Sequence, residues 1–208
     1  TRSMRDIKII DNIHTKEDFI KELEKYGTVN RDIDLPVITS KETKEVTEQI
    51  WHQDGLQIEN QPQYQALWCS HAEEECPSTQ YISTRISEEE ALKHIDVIEG
   101  YEFKEAIDDG LFYRFEKESH KRYYLKKIYK GKRPIILQDD IGYYTRWCPM
   151  SSYRNESLEK AVFKNEIQEI EWISGRVVIS NNIATLHRRT PNKNVAGTRS
   201  LYRAYVHI

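Results

Sequence analysis

The closing residues RSLYRAYVHI (199–208) alternate apolar and polar side chains, and RVVIS (176–180) shortly before them is rich in β-branched residues. Both read as strands, because successive strand residues face opposite sides and branched side chains suit a pleated surface. DIKIID (6–11), QYQALWCSH (63–71) and RPIILQ (133–138) read the same way. Helical signals are fewer. Thr15 with Asp18 forms a capping box ahead of Phe19, Ile20, Leu23 and Tyr26 at helical spacing, and Gly27 ends that helix. Ser87 with Glu90 opens a second, with Ala91, Leu92 and Ile95 toward a core. SLEKAVFKNEIQEIEW (157–172) predicts a helix through its middle that turns extended near Glu171. FYRFEKESHKRYYLKKIY (112–129), charged and Tyr-rich, reads as an inserted or mobile segment. The expected class is α+β: a mainly antiparallel β core flanked by helices.

A length of 208 residues supports one sizeable core, so a single domain over 1–208 is expected. Hydrophobic residues at 38% and charged residues at 31% place the chain with soluble globular proteins rather than disordered or membrane ones. No apolar run reaches membrane length, and the opening TRSMRDIKII lacks the pattern of a secretory signal, so a cytoplasmic location is the expectation. Cys69, Cys76 and Cys148 form no CxxC pair and read as buried or idle thiols. A net charge of −3 with scattered Lys and Arg carries no footprint for a nucleic-acid backbone; a small-molecule substrate is expected, with no nucleic acid and no membrane.

WHQDG (51–55) is the first chemical signal. On an extended strand, residues two apart share a side, so His52 and Asp54 reach one point while Gln53 faces away. An imidazole and a carboxylate are two thirds of the facial triad that holds non-haem Fe(II), and a third ligand must come from elsewhere. Taken alone, an HxD tripeptide is more often an incidental structural pair.

The second signal lies in NNIATLHRRTPNKNVAGTRSLYRAYV (181–206), where His187 follows the RVVIS strand and Arg199 and Arg203 follow His187. WHQDG, PSTQ (77–80) and LHRRTPNKNVAGTRSLYR (186–203), in this order, make residues 48–206 resemble the taurine dioxygenase family of Fe(II)- and 2-oxoglutarate-dependent dioxygenases. That resemblance implies a double-stranded β-helix, or jelly roll, with the ligands at its open mouth. It implies Fe(II) on His52, Asp54 and His187, with 2-oxoglutarate and O2 as co-substrates. Arg199 would pair with the distal carboxylate of 2-oxoglutarate and Thr79 would hydrogen-bond to it; a guanidinium fork fits a carboxylate as Lys cannot. Arg203 resembles a position that meets an anionic substrate group in some relatives, and the stretch carrying Asp139, Asp140, Tyr143 and Arg146 resembles one that relatives use near the substrate. The implied reaction couples decarboxylation of 2-oxoglutarate to succinate and CO2 with hydroxylation of a substrate carbon. Halogenating relatives have a small residue in place of Asp54, so its presence favours hydroxylation or another oxidative outcome such as desaturation. Gly175-Arg176 and Asn181-Asn182 stand where many relatives have Gly-Asp and Asp-Asn, and the turn before Thr79 lacks the usual Gly pair.

The simpler readings are structural ones. Singly, His52 with Asp54 is a hydrogen-bonded pair, His187 a loop histidine, Arg199 and Arg203 exposed strand charges, and Asp139 and Asp140 turn-formers. Trp51 and Trp68 read as core, Tyr123, Tyr124 and Tyr129 as core mixed with surface, and Arg188 and Arg189 as solvated, with closure over an anion as the alternative. Three function classes follow: a hydroxylase of a small polar molecule such as an amino acid or natural-product intermediate, an oxygenase of a carrier-bound or macromolecular substrate, and a non-catalytic jelly-roll binding protein.

Overall fold

The structure is a computed structural model that describes residues 6–30, 36–39, 50–56, 60–100, 132–149, 151, 153–190 and 197–208. The segment 112–129, with His120, Tyr123, Tyr124 and Tyr129, lies outside the described residues.

The long strands β4 (Tyr64–Ala72) and β14 (Arg199–His207) pair antiparallel at the centre of the larger sheet. β12 (Val177–Asn181) pairs the other edge of β4, and β1 (Ile7–Ile10) closes that side. Beyond β14 lie β2 (Thr28–Asn30) and β3 (Pro36–Thr39), both paired to it. A smaller sheet holds β5 (Thr79–Ser83) between β11 (Ile167–Ile170) and β13 (Thr185–Arg189). β6 (Arg85–Ile86), β10 (Tyr143–Thr145) and β9 (Ile136–Gln138) form a third sheet, and β7 (Ile98–Gly100) pairs β8 (Lys132–Pro134). Every pairing among these strands is antiparallel.

The larger sheet is buried on both faces, which explains why β4 and β12 read as nearly continuous apolar runs. Ala66, Trp68, Val177, Ile179, Ala204 and Val206 meet Phe19 and Leu23 of α1 (Lys16–Leu23) on one face. Leu67, Cys69, Val178 and Leu201 point the other way, onto Tyr81, Ile170 and Trp172 of and beside the smaller sheet. Both expected caps form: Thr15 accepts from the Asp18 N–H at 3.1 Å, and Ser87 from the Glu90 N–H at 3.2 Å at the start of α2 (Glu88–Leu92). α2 and α3 (Glu156–Phe163) cover the far face of the smaller sheet, where Ile82 and Leu186 join Trp147, Leu158 and Val162. Trp51 and Trp68 are core, as expected. His94, buried, bonds to Glu90 and Tyr153, a structural role. The three cysteines are free thiols, with Cys69 and Cys148 buried and Cys76 half-buried.

Three expectations need correction. Leu92 and Ile95, expected toward a core, are exposed, and of that trio only Ala91 is buried. The chain turns extended at Ile167 rather than near Glu171, because β11 gains a ladder along β5 that outweighs the helical spacing of its apolar residues. RPIILQ is two short strands broken at Ile135, whose side chain is fully buried.

Gly27 stands where α1 returns to the sheet, and a Cβ there would lie 2.3 Å from the His207 backbone oxygen. Gly27→Ala must therefore push β2 from the end of β14, and we expect a loss of about 2 kcal/mol in urea unfolding. An unchanged midpoint would show that β2 is not held this closely.

Candidate functional site

The two sheets face each other across a cavity of about 100 Å³. The larger sheet contributes Gln65, Leu67, Arg199, Leu201 and Arg203, the smaller one Thr79, His187, Arg188 and Arg189, and His52 enters from the connection between β3 and β4. Strand alternation explains the set on β14: Arg199, Leu201, Arg203 and Tyr205 are two apart and share the inner face.

His52 and His187 sit opposite one another in an isolated antiparallel bridge, with mutual backbone bonds of 3.2 and 3.0 Å. The strand expected through HQD is no longer than this one residue. Directly afterwards the chain turns, and Gly55 adopts a φ of +65° that other residues rarely take. Asn182 holds the turn: its Oδ1 accepts from the Asp54 N–H at 3.0 Å, and its Nδ2 donates to the Asp54 carbonyl at 2.8 Å and the Pro62 carbonyl at 3.0 Å. Asn181 shapes the β12–β13 turn by accepting from the Ala184 N–H at 3.3 Å. Gln53 faces away as expected, donating to the Ile183 carbonyl at 2.7 Å.

The turn delivers Asp54 to the histidines. Its Oδ1 lies 3.5 Å from Nε2 of His52 and 3.5 Å from Nε2 of His187, and one ligand atom from each residue falls within 4.8 Å of the others. Atoms about 2.1 Å from a shared ion are spaced on this scale. Donation from His52 Nδ1 to the Ile50 carbonyl, 2.8 Å, leaves its Nε2 lone pair for a ligand. Burial first, then His52, lower the His187 pKa, so its ring is neutral, the form that binds metal. Burial alone would raise the Asp54 carboxyl, but the Arg203 charge leads the interactions that outweigh it and hold the group well below the usual range. Two imidazoles and a carboxylate on one side, with the other side open to a cavity, fit a divalent metal that keeps exchangeable positions.

Two partners of Asp54 escaped the sequence reading. Gln65 Nε2 donates to Asp54 Oδ2 at 2.7 Å and lies 3.1 Å from Nε2 of His187; Tyr205 donates its hydroxyl to Asp54 Oδ2 at 2.8 Å. Tyr205 was within reach, because it continues the alternation of Arg199 and Arg203. A lone Gln in the apolar run of β4 was the only trace of Gln65. Arg203 also reaches Asp54, 3.4 Å from Oδ2.

Arg199 and Thr79 also line the cavity and meet each other there. Arg199 is 3% exposed, donates from Nη1 to the Pro77 carbonyl at 2.5 Å and to Thr79 Oγ1 at 3.3 Å, and its Nε has no partner among the described residues. No carboxylate among the described residues pairs with it, and burial pushes its pKa down to about 10. Thr79 Oγ1 also accepts from Trp172 Nε1 at 2.9 Å, which leaves its own hydrogen to donate. A buried cation beside a free hydroxyl donor is a receptor for an anionic oxygen group.

Arg188 and Arg189, expected in solvent, both line the cavity, Arg188 with its guanidinium 4.3 Å over the Trp51 ring. Asp140, Tyr143 and Arg146 do not line it. Asp140 is exposed, Tyr143 packs on the core beneath α2 and α3, and Asp139 rather than Asp140 binds Arg85.

No family model matches the chain, and no curated protein matches it significantly. Solved structures do. PvcB from Pseudomonas aeruginosa is 15% identical, with a TM-score of 0.63 over 98% of this chain and 76% of that one. A second PvcB structure is described as an Fe, alpha-ketoglutarate dependent oxygenase from an isonitrile synthetic pathway. AAD-2 in complex with Mn(II) and N-oxalylglycine is 12% identical, with a TM-score of 0.68 over 97% of this chain and 82% of that one. The non-heme iron oxygenase OrfP in complex with Fe, succinate and (3S)-hydroxy-L-Arg is 14% identical, with a TM-score of 0.62 over 92% and 66%. The fold of this chain is that of these solved structures, of which PvcB and OrfP are described as iron oxygenases: a mainly antiparallel β architecture with a few flanking helices.

Proposed function

We propose that the chain is an Fe(II)- and 2-oxoglutarate-dependent dioxygenase, folded as one jelly-roll domain, that hydroxylates an unactivated carbon of a small polar substrate such as an amino acid or natural-product intermediate. One observation carries this reading: one cavity is bordered by His52 and His187, with Asp54 against them, and by the buried Arg199 with Thr79, and no carboxylate among the described residues pairs with that arginine. A metal and a dicarboxylate together satisfy both groups. Bound Fe(II) supplies the activation of O2, with 2-oxoglutarate giving up CO2 and leaving as succinate.

The residues divide the remaining work. His52, Asp54 and His187 would hold the metal, which would activate O2 beside the bound co-substrate. Arg199 and Thr79 hold the far carboxylate and fix the direction in which 2-oxoglutarate enters. Gln65 and Tyr205 orient the Asp54 carboxylate through Oδ2, leaving Oδ1 toward the metal. Arg203, 29% exposed in its side chain, lies between that carboxylate and the open cavity, where it can meet a polar group of the substrate. Free thiols and a ferrous ion both suit a reducing cytoplasm.

Anaerobic addition of Fe(II) and 2-oxoglutarate to purified protein tests the assignment without a known substrate. A weak visible charge-transfer band is expected only when both are present. If saturating amounts of both give no band, the oxygenase reading fails.

A further inference from the structure

We propose that the hydroxyl of Tyr81 is a third protein donor to the 2-oxoglutarate carboxylate held by Arg199 and Thr79. This rests on the dioxygenase reading above.

Tyr81 lies on β5, two residues beyond Thr79 and therefore on the same face, and it stands directly opposite His187 in the β5–β13 ladder. Its ring centroid is 6.1 Å from that of His187. The ring packs with Leu67 and Leu201, which line the cavity, and with Trp172, which bonds to Thr79 and stacks near Arg199. Tyr81 thus adjoins His187 across the ladder and shares a core cluster with the cavity residues Leu67 and Leu201. The fields at the phenol agree, since it feels both Asp54 and Arg199.

The side chain is 0% exposed, yet its hydroxyl has no hydrogen-bond partner among the described residues. Phe would fill nearly the same volume without burying an unsatisfied polar group, so the oxygen costs stability in the ligand-free protein. A ligand that accepts from it offsets that cost. Burial, then the Asp54 charge, raise the phenol pKa, so the group is a donor at any physiological pH.

The acceptor count also fits. A carboxylate offers about four lone-pair sites. A bidentate Arg199 fills two and the Thr79 hydroxyl a third, which leaves one for Tyr81.

Tyr81→Phe tests this in protein loaded with Zn(II), which cannot turn over, by calorimetric titration with 2-oxoglutarate. Roughly tenfold weaker binding is expected, with unchanged Zn(II) affinity and a ligand-free unfolding temperature equal to or above that of the wild type. In ¹³C-tyrosine-labelled wild type, the Tyr81 Cζ resonance should shift when 2-oxoglutarate is added. Equal affinities in the two proteins, or no Cζ shift, would overturn the inference and leave the dioxygenase reading standing. A parallel fall in Zn(II) affinity or in ligand-free stability would assign Tyr81 a structural role instead. If the wild type itself binds Zn(II) but not 2-oxoglutarate, the dioxygenase reading fails and this inference with it.

Discussion

Replacing Arg199 with leucine weakens binding of 2-oxoglutarate to the metal-loaded protein by about a hundredfold or more. The guanidinium is buried, has no carboxylate partner among the described residues, and is placed with Thr79 to take one from a ligand. Removing one side of a buried, hydrogen-bonded charge pair costs about 3 kcal/mol or more, which is the factor stated. Ligand-free stability should move the other way. Burial lowers the Arg199 pKa to about 10, so the folded protein bears the cost of a desolvated cation at neutral pH. Linkage gives the sign: a base whose pKa is depressed on folding destabilises the fold while it is protonated in both states, and that penalty shrinks as pH rises above the folded value. Leucine removes the charge, so the variant should unfold at an equal or higher urea concentration. Unaltered 2-oxoglutarate affinity would separate Arg199 from the co-substrate.

The second large effect is expected at Asp54→Ala, with the opposite sign in stability. Loss of the only carboxylate among the three candidate ligands should weaken metal binding by more than about a hundredfold, beyond the range typical of residues that merely support a ligand. Unlike Arg199, Asp54 already has its partners in the ligand-free protein: Gln65, Tyr205 and Arg203 all reach Oδ2. Alanine removes the acceptor these three donors share in a buried site, so the metal-free variant should lose about 2–3 kcal/mol in urea unfolding. Competition with a chelator reads the metal affinity. Retention of wild-type affinity would mean that the three residues are a structural cluster. The contrast between the variants distinguishes a group satisfied within the protein from one that requires a ligand.

Much of this site was legible because its signals are local. HxD spacing brought His52 and Asp54 to one point, although through a bridge and a Gly55 turn rather than a strand. Alternation along β14 put Arg199 and Arg203 on one face, and the caps at Thr15 and Ser87 were short-range backbone arithmetic. The helical spacing that ran through β11 was the local signal that misled, because the ladder to β5 is a long-range reward.

What the sequence by itself determined was therefore the class of element at most positions, the mainly antiparallel β character and the three candidate metal ligands. The elements, and the pairing of His52 with Asp54, follow from residues a few positions apart, whose geometry is set by the strand and helix periods, whereas His187 came only from the resemblance to the taurine dioxygenase family. Only the tertiary structure decided which groups surround those ligands. Gln65 and Tyr205 reach Asp54 from strands that neighbour each other through sheet pairing, Asn182 anchors the HQD turn from the far end of the chain, and Arg199 meets Thr79 on the cavity lining. The same folding step aimed Arg188 and Arg189 into the cavity and left Asp140, Tyr143 and Arg146 off its lining. Contacts between distant segments depend on sheet register and on how two sheets face one another, and neither has a period that a single strand can display.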